Sequence, residues 1–238
     1  MEESAVEFPC IVKVDLSWSG RGTMLANNKN ELSAIVKEIR EDYGWKETIL
    51  YQEMIQGIEE VPGFQFYLHK SGEIYWIGSM SGEFTGYKWT SGMIDWDRQD
   101  EYKNLAWDNF TIPIAMYLHK QGYYGFVMYE LLRTNHGMYL CDLNARVSGD
   151  TAHFLVAPLM AQLGYKQSWV TVNKKLNAPP KIIVENADEI NEAANNGRVI
   201  VLSAASDGTD GNGCFCDLSI YAKTNEDLKV LYDKVTQY

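Results

Sequence analysis

The chain has 238 residues, with 21 Lys and Arg against 32 Asp and Glu, so its formal net charge is −11. At 46% hydrophobic, 22% charged and 13% aromatic residues, it can bury a sizeable core, which excludes intrinsic disorder. The acidic balance excludes a general nucleic-acid coat, which needs excess Lys and Arg, and leaves room for a nucleotide held by a few local cations and a metal. No apolar run approaches the ~20 residues of a membrane span, and the start, Met1-Glu2-Glu3-Ser4, is not signal-like. Cys10 and Cys141 stand alone, and Cys214 and Cys216, two apart, are not expected to bridge. Reduced thiols and a cytoplasmic location are the expectation.

In chain order, Cys10–Leu16 reads as a strand leading into Ser17-Trp18-Ser19-Gly20-Arg21-Gly22. Asn30 reads as the N-cap of a helix whose Leu32, Ile35, Val36 and Ile39 form an amphipathic stripe. Residues 48–55 form the next strand, and 64–69 with 73–80 a hairpin around Lys70-Ser71-Gly72. The polar, aromatic stretch 81–100 shows no clear period and reads as a loop, followed by a helix over about 101–120 that ends before Gln121-Gly122. Residues 124–133 and 138–143, joined by Thr134-Asn135-His136-Gly137, signal a second hairpin, and 151–163 a helix. Asp188 and Thr224 read as N-caps of two later helices, and 198–204 and 214–222 as strands around a tight turn at Asp207–Gly213. That turn lacks the terminal Glu of a calcium loop. Strands in hairpins with helices beside them predict an α+β fold, divided into a small lobe over 1–55 and a larger one over 56–238.

The hairpin at 124–143 carries the most chemistry. Glu130 and Asp142 fall on paired strands, and Asp142, Asn144 and Arg146 alternate along one face, with Leu143 and Val147 on the other. Two carboxylates and an amide oxygen suit Mg²⁺, which binds few protein oxygens and completes its octahedron with phosphates and water. Arg146 adds a planar cation for phosphoryl oxygens or a developing oxyanion. Any one of these residues alone would be an ordinary solvated side chain; the four together point to function. Lys13 is the second piece. It interrupts an apolar strand shortly before Gly20-Arg21-Gly22, where a Lys and backbone N–H groups can take nucleotide phosphates, although neither a P-loop nor a dinucleotide turn is present.

These segments resemble the ATP-grasp superfamily. The likeness runs through Phe8–Lys13, Ser19–Gly22, Tyr51–Gly57, Gly125–Glu130 and Asp142-Leu143-Asn144-Ala145-Arg146, in the order seen in carboxylate–amine ligases and biotin-carboxylase-like enzymes. The resemblance implies ATP and Mg²⁺ as cofactors. It also implies ATP phosphates on Lys13 under the Ser19, Gly20, Arg21, Gly22 loop, and adenine beside Gln52 and Glu53, with Met54 and Ile55 on the hinge between lobes. It assigns Mg²⁺ to Glu130, Asp142 and Asn144, and stabilisation of the reacting centre to Arg146, with Lys13 sharing the catalytic role. Asp142 stands where the family usually has Glu, and Ala145 where it often has Pro. The implied activity joins a small carboxylate to an amine, amino acid or peptide through an acyl phosphate, with neither nucleic acid nor membrane as partner. The alternative is a binding or interaction module that has lost catalysis. The family's N-terminal α/β domain has no counterpart ahead of Lys13, so a piece of a longer ligase or a natural partial copy is expected.

Several other residues have ordinary accounts. His153 could face an acceptor substrate, though a helix-start His that is merely hydrogen-bonded is the better account. Glu59 and Glu60 could meet a ribose or form a solvated turn. Trp76, Trp89, Trp96 and Trp107 read as packing anchors. Lys88 and Arg98 could bring the 81–100 stretch over an anionic substrate.

Overall fold

The computed structural model describes residues 6–14, 22–43, 48–208 and 212–237. They divide into two compact units: one gathers the residues up to Ile58 with Phe84–Trp89, the other Glu59–Glu83 and Thr90 onward. Among the described residues no helix is long and apolar enough to cross a membrane.

The smaller unit is a three-stranded antiparallel sheet with one helix. Strand β1 (Cys10–Val14) runs between β2 (Thr23–Ala26) and β3 (Ile49–Glu53). Its alternate residues Cys10, Val12 and Val14 are buried with Leu32 and Ile39 of α1 (Lys29–Tyr43), so the apolar stripe read from the sequence faces the sheet. Asn28, not Asn30, caps this helix: its Oδ1 accepts the N–H groups of Asn30 and Glu31 at 3.0 and 3.1 Å.

The larger unit holds a nine-stranded sheet built on hairpins. Its strands are β4 (Ile58–Glu60), β5 (Pro62–Leu68), β6 (Ile74–Thr85), β7 (Lys88–Asp95), β8 (Gly125–Thr134), β9 (Gly137–Asn144), β10 (Gln167–Leu176), β11 (Gly197–Ser206) and β12 (Cys214–Ala222). Their order is β11-β12-β10-β7-β6-β5-β8-β4, with β9 also paired to β8. Phe64, Phe66 and Leu68 of β5 and Val127, Tyr129 and Leu131 of β8 form one core with Tyr102 of α2 (Gln99–Ala106) and Ile114, Ala115 and Leu118 of α3 (Ile112–Lys120). A π turn, Trp107–Thr111, joins those two helices into the single helical stretch expected there. A second core lies between β10, β11 and β12 and the helices α5 (Pro180–Ala193) and α6 (Asn225–Val235). Cys214 and Cys216 both point into it as thiols, since residues two apart share a strand face. The helix α4 (Thr151–Gln162) carries no charged residue; it buries Phe154, Ala157 and Met160 and leaves Leu155 and Leu159 exposed.

Three sequence readings are corrected. The 81–100 stretch is no loop: it contains the end of β6, a turn with Gly86 at φ 61°, all of β7 and the start of α2. Its Gly, Ser and Trp residues hide a two-residue period because its faces are only partly buried. Asp188 caps nothing, because α5 begins eight residues earlier at Pro180, whose fixed φ and missing N–H suit a first turn. Strand β10 went unread, its period broken by a bulge where Asn173 adopts φ 55°. Thr224, by contrast, does cap α6, accepting the Asp227 N–H at 3.1 Å.

Two buried polar features follow from this packing. Glu60, its side chain 17% exposed, accepts from Arg133 at 3.0 Å and from the Tyr102 hydroxyl, and lies 3.7 Å from Arg98. Arg98 in turn forks onto Glu101 at 2.9 and 3.0 Å, so both are committed to a structural network and Arg98 is not held out toward a ligand. His153 is fully buried at the start of α4 with neither ring nitrogen hydrogen-bonded, which matches neither sequence account. Burial pushes its pKa down to about 4, Asp217 opposing weakly.

Glu60→Gln should lower stability by about 1–2 kcal/mol, discounted because both guanidiniums are partly exposed, and a shifted urea midpoint with unchanged slope would show it. For His153, the unfolded chain takes up a proton near the ordinary histidine value of 6.5 while the folded one resists until about 4, so stability is lost as pH falls across that window. The loss amounts to roughly 3 kcal/mol at most, and His153→Leu should flatten that part of a stability–pH profile measured by thermal melting.

Candidate functional site

The register of β5, β8 and β9 builds the site. Gly63, Glu130 and Asp142 are direct partners across the three strands, and Gln65, Met128 and Asn144 form the adjacent row. Residues opposite one another in an antiparallel pair project from the same face. Glu130, Asp142 and Asn144 therefore share a face, opposite the one that buries Phe64 and Tyr129 beneath the helices.

A bulge makes this possible. Glu130 pairs with Asp142 but Leu131 pairs with Leu140, so Cys141 is an extra residue on β9. Before the bulge, Met138 and Leu140 stand opposite Arg133 and Leu131 on the face that carries the helices, Met138 packed against the core and Leu140 exposed. After it, Asp142 and Asn144 stand on the other. The Cys141 thiol reaches the Glu130 carbonyl at 3.4 Å.

Hydrogen bonds then link the row. Asn144 Nδ2 donates to Asp142 Oδ2 at 2.7 Å, and Arg146 Nη2 donates to Asn144 Oδ1 at 2.7 Å. Arg146 Nη1 also reaches the Val147 carbonyl at 3.3 Å, and the residue is exposed. The donor set fits a hard divalent cation: two carboxylates on facing strands and an amide oxygen with a second lone pair left after Arg146 takes one. Among the described residues no cluster of three His, Cys, Asp or Glu offers a softer or richer alternative. Leu143 and Val147, expected on the far face as apolar backing, are 36% and 62% exposed.

In the smaller unit, Lys13 pairs with Thr23 and Leu50, while Ile11 pairs with Gln52. Lys13 and Gln52 thus lie on the face of the sheet away from α1. Glu53 pairs with Cys10 and belongs to the opposite face, although it is solvent-exposed at the strand's end. Met54 and Ile55 follow β3, both half-buried. Gly22 has φ 76° and its carbonyl accepts the Val14 N–H at 3.3 Å, closing the β1–β2 connection. Ser19, Gly20 and Arg21 lie outside the described residues.

Sequence reasoning missed Gln65, Ser148 and Asp150. Gln65 is fully buried on β5, and its Nε2 donates to Ser148 Oγ at 2.8 Å and to Asp150 Oδ1 at 3.1 Å. The signal was present: Gln65 interrupts the apolar strand Pro62–Leu68 just as Lys13 interrupts β1. Burial raises the Asp150 pKa, outweighing its hydrogen bonds and the nearby Arg146 charge.

No protein-family model matches the chain, and no curated protein sequence does. Solved structures do. The biotin carboxylase domain of the Hydrogenobacter thermophilus 2-oxoglutarate carboxylase, a dimer in complex with MgADP, ADP and bicarbonate, aligns with TM-score 0.56 at 13% identity over 92% of this chain and 54% of its own. Campylobacter jejuni biotin carboxylase in complex with β-γ-ATP gives 0.59 at 12%, over 96% and 57%. N5-carboxyaminoimidazole synthetase from Staphylococcus aureus in complex with ADP gives 0.59 at 14%, over 98% and 62%. The chain thus spans a little over half the length of these structures. At such low identity the likeness is one of fold, and it covers nearly all of the chain: the protein is built on the α+β ATP-grasp fold.

Proposed function

We propose that the chain is the nucleotide- and metal-binding part of an ATP-dependent ligase that joins a small carboxylate to an amine. The observation that carries this reading is the direct pairing of Glu130 with Asp142 on one sheet face, continued by the hydrogen-bonded series Asp142–Asn144–Arg146. The nucleotide complexes of the aligned biotin carboxylases and synthetase support it. We place the small lobe at 1–55 and the metal-bearing lobe at 56–238. Small carboxylates and amines, amino acids or peptides among them, are the proposed substrates, and a soluble cytoplasmic setting accords with the acidic charge. A further N-terminal domain of the same protein is the proposed partner, in keeping with the chain's spanning only 54% and 57% of the aligned biotin carboxylases.

Glu130, Asp142 and Asn144 would hold Mg²⁺, which when bound neutralises phosphate charge and orients the γ-phosphoryl group. Lys13 offers an ammonium to phosphate oxygens, with the Ser19–Gly22 backbone as further donors, and Gln52, Glu53, Met54 and Ile55 are assigned to the adenine and ribose. In the proposed reaction a carboxylate oxygen attacks the γ-phosphorus, ADP leaves, and the amine displaces phosphate from the resulting acyl phosphate. Negative charge grows first on the phosphoryl oxygens and then on the tetrahedral oxygen. Arg146, held by the Asn144 carbonyl and exposed, can meet that charge as it forms. Asn144 accepts from Arg146 and is itself bonded to Asp142, which fixes the orientation of the guanidinium.

Asp142→Asn keeps an acceptor for Asn144 but removes one of two anionic ligands, so the Mg²⁺-dependent part of ATP affinity should fall by about tenfold or more in calorimetric titration. Arg146→Ala should leave that affinity within about twofold and lower ADP release by on the order of 10²–10³. ATP binding equal with and without Mg²⁺ would remove the metal assignment. Metal-dependent binding with no ADP formation across a broad set of amino acids and peptides would identify a binding module that has lost catalysis.

A further inference from the structure

Arg146 sits on a short arm, residues 145–150, that leaves β9 at Asn144 and turns back into α4. One end of the arm is fixed by the sheet. The other is fixed by Gln65, which reaches across from β5 to both Ser148 and Asp150. Thr151 Oγ1 tightens the same turn, accepting the Ser148 N–H at 3.0 Å and lying 3.0 Å from the Ser148 hydroxyl. A Cβ on Gly149 would stand 2.8 Å from Val172, so the turn is also pressed against β10.

Two oxygens in this knot lack partners. Gln65 Oε1 and Asp150 Oδ2 are both buried and accept no hydrogen bond, while the other atoms of the same two groups, Nε2 and Oδ1, are bonded to each other. Both orphans are acceptors if Asp150 is ionised. A proton on Asp150 Oδ2 would supply the donor that both lack. An amide and a neutral carboxyl then close a ring of two hydrogen bonds, N–H to Oδ1 and O–H to Oε1. Burial of Asp150 favours its neutral form and outweighs the hydrogen bonds from the Ser148 side chain and the backbone, the Arg146 charge and the Gln65 hydrogen bond, which act against it.

We propose that Asp150 is a neutral carboxylic acid paired with Gln65, and that this pair is a positioning device holding Arg146 in place. Its role in turnover rests on the ligase reading; the pairing and the ordering of Arg146 do not. Asp150 is then a hydrogen-bond donor inside the protein and takes no proton from a substrate.

Difference infrared spectroscopy of the full chain, parent against Asp150→Asn at neutral pH, tests the protonation state without any ligand. A neutral carboxylic carbonyl band lost in the variant is expected; a carboxylate band in its place would overturn the pairing. Relaxation of the Arg146 Nε–H resonance tests the positioning. Gln65→Leu should loosen it, and Asp150→Asn should not, because the new amide supplies the donor that the acid supplied. An Arg146 signal unchanged in Gln65→Leu would overturn that part, and Gln65→Asn, one methylene too short, serves the same purpose if the Leu variant does not fold. Where the parent releases ADP from MgATP, Gln65→Leu should lower kcat about tenfold with KM for MgATP unchanged, and Asp150→Asn should keep kcat within about threefold. Loss of turnover in Asp150→Asn, with Arg146 still ordered, would mean that the carboxylate itself takes a proton, and would overturn the proposal. A parent that releases no ADP fails the ligase reading alone, since the spectroscopic results stand without it.

Discussion

Everything in the larger unit depends on the parity of antiparallel pairing. Residues directly opposite share a face, so a fixed register across β5, β8 and β9 sorts side chains into two sets at once. One set, Phe64, Tyr129 and their neighbours, is buried under α2 and α3. The other brings Glu130 and Asp142 side by side without any loop having to aim them. The same apolar packing that stabilises the sheet thereby fixes the separation of the two carboxylates, and it does so on a scaffold more rigid than a connecting segment.

That origin explains what could be read from the sequence. The 124–143 hairpin was legible because its turn and its β-branched and aromatic strands are local signals, but counting from the turn sets Glu130 opposite Cys141, and the bulge that brings Asp142 there is not a local signal. The stripe of α1 and the cap at Thr224 were legible for the same reason. What escaped was set by tertiary context. The strands β7 and β10 read poorly because their faces are unequally covered and β10 is interrupted at Asn173. Gln65 escaped because nothing local says that a buried amide in β5 will meet a turn more than eighty residues later. The cap at Asn28 was missed by two residues, a boundary error between equally plausible asparagines.

The buried polar groups divide into two kinds. The Glu60 network is charged, partly wet and closed on itself, with every guanidinium matched to a carboxylate. Gln65 and Asp150 are dry and leave two oxygens to be accounted for. His153 stands apart, with no bonds to lose, and its neutral ring behaves as a flat apolar filler at the base of α4. The first kind stabilises the fold, whereas the second constrains where one exposed arginine can go.

The extra residue at Cys141 has an evolutionary consequence. Along β9 the pattern Met138, Leu140, Asp142, Asn144 is one unbroken alternation in the sequence, yet it changes from apolar to polar halfway, and only the bulge lets both halves satisfy their surroundings. Pairing Cys141 regularly into the ladder, with no residue lost, would turn the downstream motif over as a block and send two polar side chains toward the helices, whereas deleting Cys141 would leave Asp142 opposite Glu130. Residue-by-residue matching would score a chain turned over in that way as intact. The face that this motif presents is therefore set by how the strand pairs at Cys141, and not by the identities of the motif's own residues alone.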